Sequence, residues 1–88
     1  MATSTLKHTT IATKTIEGIT APFNGTVSAN VNTSVLGVDI DKIVSAWAYA
    51  DTGTPLVCYS VKGANVLQLR APSNTNNTVV SINLLYLV

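Results

Sequence analysis

The sequence predicts a small all-β domain, an antiparallel β-sandwich or barrel-like fold carrying an extended N-terminal arm. Three observations lead there. Apolar and polar residues alternate with a period of two along several segments. Clusters of Gly, Pro, Asn and Asp separate those segments at short intervals. No stretch carries the 3.6-residue periodicity of an amphipathic helix. With 88 residues the chain has room for one domain. The expected division is an arm over residues 1–20 and a β domain over 21–88.

Residues 1–20 are polar and rich in Thr, with apolar points at Leu6, Ile11, Ile16 and Ile19. That spacing fits neither a regular strand nor a helix. Thr restricts side-chain rotamers in a helix, so an extended segment, with room for a strand, is expected. Ala21-Pro22-Phe23-Asn24-Gly25 is a turn: proline fixes its own φ, and Asn-Gly is a strong turn dipeptide. From Val27 to Val35 every second residue, Val27, Ala29, Val31, Thr33 and Val35, faces one way, which predicts a half-buried strand.

Residues 42–50 form the next expected strand. Ile43, Ser45, Trp47 and Tyr49 alternate with Val44, Ala46, Ala48 and Ala50. Both faces are largely apolar, so the strand is expected to be central and covered on both sides, with Trp47 and Tyr49 in the core. Asp51-Thr52-Gly53-Thr54-Pro55 is a hairpin loop, residues 56–61 the return strand, and Lys62-Gly63-Ala64-Asn65 a tight turn. Residues 66–70 form a short strand, 71–77 a polar loop, and 78–88 the strongest alternating strand of all. Its last five residues are almost wholly apolar, which predicts a position inside a sheet or under a neighbour.

The charged fraction is 10%, against about 25% in an ordinary soluble domain. Thr, Asn and Ser take the place of charge. Such a surface repels copies of itself weakly and resembles the charge-depleted centres of protein interfaces. A domain this small often needs a disulfide, a metal or a partner for stability. Cys58 is the single cysteine, so no disulfide can form within the chain. Partners are the expected support, with Leu6, Ile11, Ile16, Leu84, Leu85, Tyr86, Leu87 and Val88 as the candidate oligomer or partner interface. The net charge of +1 and five scattered basic residues give no electrostatic case for nucleic acid. No apolar stretch approaches the ~20 residues of a membrane span.

No catalytic residue is expected. His8 is the sole imidazole and lies in the arm, far in sequence from any carboxylate. Cys58 sits in an apolar strand with no cluster of positive charge to activate it. Asp39 and Asp41 project the same way from an extended segment, and Asp51 could join them around a hard cation. Turn chemistry, with Asp oxygens bonding nearby amides, is the reading preferred for these three, so no metal and no cofactor is expected. Trp47 and Tyr49 have one alternative to the core, a stacking platform for a glycan.

The run Ile43-Val44-Ser45-Ala46-Trp47-Ala48-Tyr49, the loop Asp51-Thr52-Gly53 and the ending from Val79 to Val88 resemble small β-sandwich proteins of tailed-phage virions. Those include capsid decoration proteins and head-fibre or tail-fibre tip domains. The likeness covers roughly residues 23–88 and lies in strand layout, without a diagnostic motif. It implies a homo-oligomer, often a trimer, made in the host cytoplasm and attached to a major capsid or tail protein on the virion. It carries over no catalytic residue. The expectation is therefore a non-enzymatic structural protein of a phage particle, with a glycan-binding host-recognition module at a fibre tip as the alternative.

Overall fold

The computed structural model describes residues 10–88. They form six strands, β1 (Ile11–Ala21), β2 (Thr26–Asn32), β3 (Ile43–Ala50), β4 (Pro55–Val61), β5 (Val66–Thr75) and β6 (Thr78–Leu87). One short helix, α1 (Thr33–Leu36), and two single 3-10 turns interrupt them. The strands make one sheet in the order β1-β6-β3-β4-β5-β2, every neighbouring pair antiparallel. The sheet curls into a half-barrel. Of the two architectures expected, the barrel-like one describes it.

β6 behaves as its alternation requires. It lies between β1 and β3, so both of its edges are hydrogen-bonded. Val80, Ile82 and Leu84 point into the concave side and are fully buried. They meet Leu67 and Leu69 of β5, Val31 of β2 and Leu56 of β4 in one cluster. The connections supply the rest of the filling: Phe23 from the β1–β2 turn, and Leu36 and Val38 from the β2–β3 crossing. Each fully buried side chain of this size contributes about 1.5–3 kcal/mol of transfer free energy.

Three bulges bend the strands. In β1, Ile16 pairs with Ile82 and Ile19 with Val80, so β1 spends one residue more than β6 between them. Gly18, at φ +73°, takes up the irregularity, and both isoleucines reach the core although they are three apart. Ile11 is at odd spacing from Ile16 and falls on the opposite, exposed face. A second, wider bulge lies on β5, which spends the stretch from Arg70 to Thr75 while β2 passes only from Ser28 to Thr26, and Val27 is exposed there. The third lies between Ile43 and Ser45 of β3.

The β3 bulge overturns the expected placement of Trp47 and Tyr49. Strict alternation puts Ile43, Ser45, Trp47 and Tyr49 together. The extra residue reverses the phase after Ile43, which itself packs on the core. Ala46, Ala48 and Ala50 then face inward, with Ala48 and Ala50 buried, while Trp47 and Tyr49 are 41% and 47% exposed. The strand is interior to the sheet but covered on one face.

Two further boundaries differ from expectation, at Val35 and over residues 71–77. The strand for which the arm had room is β1, Ile11–Ala21, which ends one residue beyond the expected arm and pairs the backbone groups of β6 on its side away from β3. Residues 1–9, with Leu6 and His8, lie outside the described residues. The expected strand ending at Val35 stops at Asn32, whose side chain caps α1 by accepting from the Ser34 amide at 2.9 Å. Gly37, at φ +72°, closes the helix and donates its N–H to the Thr33 carbonyl. The expected loop at residues 71–77 is mostly strand, since β5 runs on to Thr75.

Candidate functional site: an aromatic patch on the outer face

An antiparallel sheet with one solvated face ordinarily shows polar residues on that face. The flanks obey. β2 presents Ser28 and Asn30, β5 presents Gln68 and Arg70, and β1 presents Thr13 and Thr15. The centre does not. β3 presents Trp47 and Tyr49, β4 presents Val57 and Tyr59, and β6 presents Val79, all exposed. Strands β3, β4 and β6 contain no charged residue. A central apolar patch with a polar rim is the usual form of a contact surface.

The register builds two rows across this patch. Asn83 of β6 lies opposite Thr15 on one side and Trp47 on the other. Its Oδ1 accepts from the Thr15 hydroxyl at 2.8 Å, which ties the carbonyl end toward β1 and leaves the amide nitrogen outside that bond. In the second row Gln68 of β5 lies between Tyr59 and Asn30. Its Nε2 donates to Asn30 Oδ1 at 3.4 Å, and its Oε1 accepts from Arg70 Nε at 3.3 Å. The Arg70 guanidinium sits over the Tyr59 ring, 5.8 Å from the centroid. Trp47 and Tyr59 therefore each have an amide side chain opposite them, and each amide is tied by a bond to a third strand, whereas Tyr49 faces Ser81 and Pro55.

The β3–β4 ladder is short, Ala48 with Leu56 and Tyr49 with Pro55. Tyr59, Gln68, Arg70 and Asn83 were not among the candidates from sequence. The hairpin register carries the signal that finds Tyr59: once Tyr49 faces Pro55, every second residue after it, Val57 and Tyr59, joins the face of Tyr49.

The other candidates fall elsewhere. Leu84 is fully buried and Ile16 and Tyr86 pack on the core, so these three are structural rather than free for a partner. Leu85 and Leu87 are half-buried. Ile11 and Val88 are exposed, Val88 at 73%. The Val88 amide donates to the Thr10 carbonyl at 2.9 Å. Asp39 and Asp41 precede β3 and Asp51 follows it, so the whole strand separates them. Among the described residues no three His, Cys, Asp or Glu side chains gather. Asp51 Oδ1 instead accepts from the Thr78 hydroxyl at 3.4 Å. The Cys58 side chain packs against the core, and burial pushes its thiol up to about 11, which keeps it protonated and a poor nucleophile at neutral pH.

A cavity of about 210 Å³ opens at the end of the half-barrel where the β3–β4 and β5–β6 hairpins meet. Ala50, Leu56 and Ala71 form its apolar part, and Thr and Asn side chains of the two hairpins form its rim. Comparison of the chain with family models, with curated proteins and with solved structures found no match.

Proposed function

We propose that the chain is a non-enzymatic structural protein of a phage particle, acting by self-association, as a trimer, and by docking to a major capsid or tail protein. The observation that carries the assembly half of this reading is the open sheet. The half-barrel ends on two edge strands, β1 and β2, each with one row of backbone groups that no strand among the described residues pairs. An open edge is a template for a strand of another chain. The low charge of the surface and the exposed Ile11 and Val88 beside the β1 edge support the same reading. The particle itself rests on the likeness of strand layout to phage decoration and fibre proteins.

Sedimentation of the purified protein at micromolar concentration tests the first half, with an oligomer expected. A folded monomer overturns it. Co-purification with assembled particles tests the second half. A second reading, glycan recognition at a fibre tip, is favoured by the outward position of Trp47 and Tyr49.

A further inference from the structure

Resting on that second reading, we infer that the outer face of β3, β4 and β6 is a binding site for an uncharged oligosaccharide, stacked on Trp47 and Tyr59 and hydrogen-bonded by Asn83 and Arg70. A sugar ring has an apolar C–H face and a polar rim. It is met by an exposed aromatic ring with a fixed donor beside it. That combination occurs twice here. Trp47 lies opposite Asn83, whose carboxamide oxygen is held by the Thr15 hydroxyl, so the amide nitrogen is the end left to donate. Tyr59 lies under Arg70, whose Nε is held by Gln68, leaving its terminal nitrogens to donate. Ser45 and Ser81 add hydroxyls to the same face, Ser81 directly opposite Tyr49.

Size and charge separate this occupant from the alternatives. The exposed parts of Trp47, Tyr49 and Tyr59 amount to roughly 300 Å² of aromatic surface. Rings of that extent suit the stacking of a few sugars, whereas a second copy would have to cover Val57, Val79 and the polar rim as well to reach the about 800 Å² per partner of a stable contact. The three central strands carry no charge, and Arg70 is the one cation among the flanking residues named above. An anionic polymer would find no basic row to follow.

Trp47 is the one tryptophan of the chain, so its emission reports on this site alone. The experiment titrates the full-length protein with neutral hexasaccharides of glucose, galactose and N-acetylglucosamine, and with a sulfated glucan as the anionic arm, following Trp47 fluorescence and heat. A saturable shift in Trp47 emission with at least one neutral hexasaccharide is expected. Tyr59→Ala and Asn83→Ala should each weaken that binding about tenfold, and Trp47→Phe should keep most of it while Trp47→Ala, followed by heat, loses it. Circular dichroism of each variant separates lost binding from lost fold.

Binding confined to the sulfated glucan overturns the uncharged-ligand site and leaves glycan recognition standing. Neutral binding that survives Trp47→Ala and Tyr59→Ala overturns the location. Silence with every glycan removes both the site and the second reading. Silence together with dissociation of the oligomer by Trp47→Ala shows the face to be a protein contact.

Discussion

The guanidinium of Arg70 rests over the ring of Tyr59, 5.8 Å from its centroid, while its Nε donates to Gln68. Both residues are exposed, so water screens the attraction and it is worth about 0.5–1 kcal/mol. A double-mutant cycle on Arg70→Ala and Tyr59→Ala, read by denaturant unfolding, should give a coupling energy in that range. A coupling indistinguishable from zero would mean that the contact does not persist in solution.

Trp47 and Leu84 should respond oppositely to truncation. Leu84 is fully buried, and Leu84→Ala should cost about 2–5 kcal/mol through lost transfer energy and the cavity left behind. Trp47 stands on the outer face, so Trp47→Ala should cost about 1 kcal/mol or less. Thermal unfolding of the pair checks this. A Trp47→Ala variant as unstable as Leu84→Ala would return the ring to the core.

The helix α1 is four residues long and depends on its ends. Asn32→Ala removes the oxygen that accepts from the Ser34 amide and should cost about 1 kcal/mol. Gly37→Ala places a side chain at φ +72° and should cost about 1 kcal/mol or more. A Cβ there would also come within 2.7 Å of Lys14 Nζ, but that ammonium ends a flexible chain and can move aside. Equilibrium unfolding of both variants measures the two losses.

Cys58 gives the fold a dependence on alkaline pH. Its thiol titrates near 9.0 when free and is pushed up to about 11 in the folded chain by burial. The folded state thus holds the proton more tightly. Stability from this group is whole below pH 9.0 and is lost as pH rises through about 11. Denaturant midpoints measured from pH 8 to 11 should fall less steeply for Cys58→Ala than for the natural chain. Alkylation of Cys58 at neutral pH should be slow in the folded protein and fast once it is unfolded.

Strand β3 was legible as a strand although it carries a bulge, but the facing of its residues was legible only where no bulge intervenes. β6 alternates without interruption and lies inside the sheet as its apolar ending required. The Asp51–Pro55 turn was legible because Gly53, at φ +91°, announces it. The bulges were not, since one extra residue leaves composition unchanged and reverses the phase of everything after it. That is why Ile43 misdirected the placement of Trp47. α1 was hidden for a related reason: Val31, Thr33 and Val35 continue a strand pattern straight through a helix whose only signals are Asn32 and Gly37. The binding rows were out of reach, because they join residues whose neighbourhood depends on register.

The strand order also governs when the molecule can fold. β6 lies between β1 and β3, although it is the last strand in the chain. Thr15 and Asn83, which bond across this junction, are 68 positions apart. During synthesis β1 therefore leaves the ribosome long before its partner exists, and it waits with its backbone groups unsatisfied by any strand. The β4–β5 hairpin can form early from local contacts, but the half-barrel cannot close until β6 slides between two strands already made. Such distant pairing belongs to proteins that fold in milliseconds to seconds. During that interval β1 of one copy is free to meet β6 of another, so the same topology that orders the sheet leaves a window for exchange between nascent chains.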